Sequence, residues 1–114
     1  MFLTSLNVKY KVEDNRWVLS RALLYRTKGG WEVEVPKGYS TDLDSVPRIP
    51  FVYAWLKGQA TKSAVVHDWL YDQKYNRRKA DKILLEAMKD EGVPRSKRWA
   101  IYLGVRTFGW IAYL

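Results

Sequence analysis

Residues 31–36 read Trp31-Glu32-Val33-Glu34-Val35-Pro36, and this short stretch sets the class of fold. Apolar and acidic side chains alternate with a period of two, the pattern of a strand with one buried and one solvated face. Proline then ends the run, because it has no N–H to give to a sheet ladder. Upstream, residues 7–12 and 17–25 are rich in Val, Leu, Tyr and Trp and alternate in part. Between the runs, Asp14-Asn15 and Gly29-Gly30 tolerate the positive φ of tight hairpin loops. Residues 1–35 therefore read as a small antiparallel β meander.

Downstream the texture changes. Segment 36–50 holds three of the four prolines, with Asp42, Asp44, Ser45 and Arg48 among them, and reads as an ordered loop rather than helix or central strand. A loop of this length is either functional or a connector whose Asp and Ser side chains cap local backbone. A short helix is expected over 51–56, and a longer one from about Thr61 to Asp72 or Gln73. Asn76 is the N-cap of a helix reaching Lys89, Gly92 lies beyond its end, and Pro94 opens a last helix towards Tyr113. Strands first and helices after give an α+β fold: one domain over residues 1–114, with a meander, a loop and a three- to four-helix bundle. Val65, Trp69, Ile83, Leu84 and Val105 are expected in its core.

At 114 residues the chain has room for one hydrophobic core and no separate cofactor domain. It has no cysteine, which excludes a disulfide scaffold, a cysteine nucleophile and a thiolate zinc site. One histidine, His67, excludes a multi-histidine metal centre. Lys and Arg number 20 against 12 Asp and Glu, a formal charge of +8, which suits nucleic acid, an anionic membrane or an acidic protein surface. No nucleic-acid motif accompanies the charge, so that partner is the weakest of the three. Residues 1–12 lack the basic start and apolar run of a secretion signal, and the apolar C-terminal stretch carries Arg106, so no transmembrane segment is expected.

Chemistry concentrates in Ala64-Val65-Val66-His67-Asp68-Trp69-Leu70-Tyr71, which is apolar on nearly every side. Burial of His67 and Asp68 in such a helix is costly unless they are paired. His67 and Tyr71 are four residues apart and share a face, with Asp68 on the adjoining flank. Asp81 interrupts the next apolar helix, and a short turn at 73–76 brings it against His67 and Tyr71. A carboxylate on one imidazole nitrogen fixes the tautomer and strengthens the other as a base. The same trio also suits a structural buried pair in which Tyr71 satisfies a spare acceptor; spacing leaves both open.

Three motifs in order, residues 38–48, 64–71 and 78–88, resemble the DUF1353 family, and the likeness continues through Gly92-Val93-Pro94, Arg98-Trp99 and Tyr102 to Gly109. That family is found in phages and prophages and carries no assigned activity. The resemblance implies a bacteriophage or prophage origin, synthesis in the host cytoplasm and incorporation in the virion. His67-Asp68-x-x-Tyr71 followed by Ala80-Asp81 is also similar to the catalytic helices of phospholipase A(2)-like enzymes. That likeness implies His67 as the base for an attacking water, Tyr71 and Asp81 as its orienting partners, and Asp68 as a calcium ligand. Asp42 and Asp44 would complete the calcium site, since hard carboxylates suit Ca²⁺.

Two surfaces remain. Arg48, Lys74, Arg77, Arg78 and Arg98 form basic clusters that are either solvated faces or phosphate binders. In the last helix Trp99, Tyr102, Leu103, Arg106, Trp110 and Tyr113 recur at three- and four-residue spacing, for docking or for crossing a small core. Two functions follow. One is a calcium-dependent, phospholipase A(2)-like ester hydrolase acting on anionic phospholipid at the host envelope. The other is a non-catalytic tail, connector or assembly protein that binds other phage proteins through its aromatic helix and basic patch.

Overall fold

In a computed structural model, residues 1–13, 16–41 and 61–113 are described, with side chains for 1–13, 16–40 and 62–107. Five strands precede three helices: β1 (Val8–Lys11), β2 (Arg16–Leu19), β3 (Leu23–Arg26), β4 (Glu32–Val35), β5 (Ser40–Thr41), α1 (Thr61–Asp72), α2 (Arg77–Asp90) and α3 (Arg95–Tyr113). The α+β expectation holds. The helix expected over 51–56 lies outside the described residues.

The β3–β4 hairpin shows why the 31–35 alternation is decisive. Its register sets Leu23 against Val35 and Tyr25 against Val33. All four of these side chains are buried, while Arg26 and Glu32 pair on the outer face. The connecting turn closes through Thr27 N–H on Trp31 O and Gly30 N–H on Thr27 O, with Gly30 at φ +91°, where a β-carbon is disfavoured.

The strands divide into two sheets rather than one continuous meander: β1-β2-β5 and β3-β4. The run 17–25 is not one strand. It breaks at Ser20-Arg21, both exposed, where Ser20 N–H turns to Asn7 O. β2 instead takes β5 as its second neighbour, with Trp17 opposite Thr41 and Val18 opposite Ser40. Within the proline-rich segment, Ser40-Thr41 is thus a short strand rather than loop, reached through a turn at residues 36–39. Arg16 fixes it by donating from Nε to Ser40 Oγ and from Nη2 to Ser40 O.

α1 lies between the other helices and β4, touching all three. Its central position explains why residues 63–67, Leu70 and Tyr71 are all buried. α2 is two-faced. Ala80, Asp81, Ile83, Leu84, Ala87 and Met88 are buried, and Arg78, Lys79, Lys82 and Lys89 are exposed. Asn76 is its N-cap, accepting from Lys79 N–H at 3.0 Å. At the other end Gly92, at φ +85°, reverses the chain so that Val93 N–H reaches Met88 O and the Val93 side chain is buried. Of the expected core residues, Val65, Ile83, Leu84 and Val105 are buried, and Trp69 packs half-buried against them.

Glu91, just past α2, caps α1 from a distance. Its carboxylate accepts from Lys62 N–H, Ser63 N–H and Ser63 Oγ, so it serves donors that an α-helix leaves unpaired at its start. Replacing Glu91 by Ala is expected to cost about 2 kcal/mol, the scale of hydrogen bonds to a charged group. Urea unfolding of Glu91→Ala against wild type checks this, and an unchanged midpoint would show that water replaces the cap.

Candidate active site

His67 and Tyr71 sit one helical turn apart on α1, with ring centroids 4.1 Å apart. Asp81 faces them from α2. The turn between the helices is tight: Lys74 adopts φ 54°, and Tyr75 N–H closes it on Leu70 O. This geometry makes the helices neighbours and carries the expected trio into contact. His67 Nε2 lies 2.8 Å from Asp81 Oδ1, and Tyr71 OH donates to the same oxygen at 2.5 Å. Arg106 of α3 donates from Nη1 to the other oxygen, Oδ2, at 2.8 Å. One carboxylate therefore ties three helices.

Exposure is 1% for His67 and 0% for Asp81, against 28% for the Arg106 side chain. Burial pushes the Asp81 carboxyl up, but hydrogen bonds from His67, Tyr71 and Arg106 outweigh it and hold the group below the usual carboxylate range. Burial pushes His67 down, aided by the nearby Arg77 charge, and Asp81 opposes this without reversing it. Burial and the Asp81 hydrogen bond hold the Tyr71 phenol well above its ordinary value. The site at neutral pH is thus a carboxylate, a guanidinium, a neutral imidazole and a phenol. An ionised Asp81 only accepts, so Nε2 carries the imidazole proton and Nδ1 the lone pair.

Asp68 is half-buried on the adjoining flank of α1. Beside it, Tyr39 donates to Asp72 Oδ2 at 2.6 Å and packs edge-on against Trp69. Burial, the Asp72 hydrogen bond and the Asp68 charge hold the Tyr39 phenol above its usual range. Asp42 and Asp44 lie outside the described residues. Among the described residues no group of three or more His, Cys, Asp or Glu side chains could hold a metal ion. The described donors by themselves do not make a calcium site.

Of the basic residues, Arg48 lies outside the described residues. Arg77 is not a free surface cation, since its Nη2 donates to Val105 O at 2.8 Å and Arg106 O at 2.7 Å and braces α3 on α2. Arg98 donates from Nη1 to Val93 O. Arg78 is exposed on α2, and Lys74 is exposed in the turn before it. Trp99 and Leu103 are exposed on α3, whereas the side chains of Trp110 and Tyr113 lie outside the described residues. Among the described residues no helix is long and apolar enough to cross a membrane.

Sequence reasoning missed Arg106 as a member of this site. The signal was present, for Arg106 is the single charged residue in 99–114. A lone charge in an apolar helix asks for a buried partner as surely as His67 does.

The DUF1353 family model, described as a protein of unknown function, matches residues 17–105. The match starts at Trp17, upstream of the quoted motifs, and stops at Val105, short of Gly109. It takes in His67, Asp68, Tyr71 and Asp81 and leaves out Arg106. No curated protein matches the chain. No solved structure matches it either. With a match over well more than half of its length, this chain belongs to the DUF1353 family.

Proposed function

We propose that this protein is a phage or prophage ester hydrolase of phospholipase A(2)-like type, acting on anionic phospholipid at the host envelope with His67 as general base. The observation that carries the reading is the shared Asp81 Oδ1, which accepts from both His67 Nε2 and Tyr71 OH. This pins the imidazole through Nε2 and makes Nδ1 its basic nitrogen, and burial, by lowering the pKa, favours the unprotonated ring at neutral pH. In the step proposed, Nδ1 takes a proton from water as the water oxygen bonds to the ester carbonyl carbon. The tetrahedral oxyanion collapses, the carbon–oxygen bond to the alcohol breaks, and the alcohol leaves with the proton from Nδ1.

Calcium bound by Asp68 with Asp42 and Asp44 would polarise the ester carbonyl and stabilise the oxyanion. Exposed cations on α2, Arg78, Lys79 and Lys82, suit an anionic headgroup.

One observation favours a second reading. At 1% exposure His67 is covered, and Asp81 is engaged on both oxygens, as in a structural tie. In that case the protein is a non-catalytic virion or assembly component. Trp99 at 42% and Leu103 at 59% exposure, one turn apart on α3, then form the surface for another phage protein.

Fatty-acid release from anionic phospholipid vesicles separates the readings. The hydrolase reading expects release by wild type, its loss in His67→Ala, and calcium-dependent thermal stabilisation weakened in Asp68→Asn. Absence of release by wild type, with His67→Ala merely less stable, would transfer the function to the α3 surface.

A further inference from the structure

The tip of the β3–β4 hairpin lies along the outer side of α2. Lys28 N–H donates to Glu86 Oε1 at 2.6 Å, and the Trp31 ring sits 5.9 Å from that of Tyr75, just before the helix. Lys79 and Lys82 lie between these two contacts and share a helix face with Glu86, from which they are seven and four residues away. We infer that this patch binds single-stranded nucleic acid, with a base stacked on Trp31 and phosphates held by Arg78, Lys79 and Lys82. It rests on neither reading of the His67 site.

Trp31 is 43% exposed even with its ring tilted onto Tyr75, so much of the indole is open to a ligand. Gly29 stands beside it. A β-carbon there would lie 3.5 Å from Trp31 Cδ1, and its absence keeps that edge of the ring uncovered. Arg78, Lys79 and Lys82 are all exposed, and the carboxylates around them do not cancel their field. Glu86 is engaged by Lys28 N–H, and Glu32 and Glu34 stand on the opposite face of β4 from Val33, Val35 and Trp31. An anionic membrane is the competing partner, and the hairpin tip does not suit it. Lys28-Gly29-Gly30 has no apolar side chain to enter a bilayer, and the indole is folded back on Tyr75. Cations beside an open aromatic ring are the elements of a single-strand site, because every base has a face to stack while its backbone carries the charge. A duplex keeps those faces inside its own stack.

Fluorescence anisotropy of a labelled oligothymidylate tests this, beside the same oligomer annealed to oligoadenylate and co-sedimentation with phosphatidylglycerol vesicles. Wild type is expected to bind the single strand more tightly than the duplex, with affinity that falls as salt rises. Trp31→Leu keeps an apolar side chain and every charge, and is expected to weaken single-strand binding about tenfold, whereas Trp31→Phe restores much of it. Replacing Lys79 and Lys82 by Gln should reduce the slope of log affinity against log salt by about 0.7 for each cation removed. Absence of single-strand binding by wild type would overturn the inference, a result that needs no variant to fold. Equal affinity for the duplex would overturn it too, as would a Trp31→Leu protein that binds like wild type. Binding to vesicles with none to the oligomer would overturn it and leave these cations to a lipid headgroup.

Discussion

Asp81→Ala is expected to destabilise the protein by about 3 kcal/mol or more, a large part of the 5–15 kcal/mol that typically holds a domain together. Two effects add. His67 Nε2–H and Tyr71 OH, both buried, lose this acceptor in a place largely shielded from solvent. Arg106 loses its counter-ion, although its partial exposure lets the guanidinium turn outward and limits that share. Asp81→Asn should cost less, because the amide oxygen still serves His67 and Tyr71 while its NH₂ meets Arg106 donor against donor. Tyr71→Phe removes one donor and no charge, so about 1.5 kcal/mol is the expected loss. In the double variant Tyr71→Phe adds little to Asp81→Ala, since the bond it would break is already gone. Urea unfolding followed by tryptophan fluorescence measures all four. A loss under about 1 kcal/mol for Asp81→Ala would mean that the helices hold together without this tie.

What the sequence made legible follows from how local each contact is. The β3–β4 hairpin could be read because its alternation and its turn lie within adjacent residues, from Leu23 to Val35. The meeting of His67 and Tyr71 with Asp81 could be read because helix periodicity and a short turn suffice to set it. The break at Ser20-Arg21 could not. It depends on β5, whose Ser40 and Thr41 return across about twenty residues to pair with β2, and no local pattern announces that partner. Arg106 stands between the two: a lone charge in an apolar helix signals a partner, but that the partner is Asp81 depends on how α3 packs on α2. Arg77 was read as one more surface cation, yet packing turns its guanidinium onto α3 carbonyls. Glu91 drew no reading at all, although it caps a helix that begins thirty residues earlier.

Lowering the pH should weaken the fold in two separate windows, and the upper one belongs to His67. Its folded pKa lies below the ordinary 6.5, because burial and Arg77 oppose the charge more than Asp81 favours it. Below 6.5 the unfolded chain therefore takes up a proton that the folded chain refuses. Stability from this group is whole above 6.5 and declines as the pH falls, by at most about 1.4 kcal/mol per pH unit, until the folded imidazole also protonates. Asp81 and Asp90 are likewise depressed, from 3.8, so what they contribute is whole above 3.8 and is lost as the pH falls through their folded values. Urea midpoints from about pH 7.5 to about pH 4.5 should thus fall in wild type and stay nearly level in His67→Gln, which has no proton to gain there. Stability that rises on acidification through this range would mean that Asp81 holds His67 as an imidazolium.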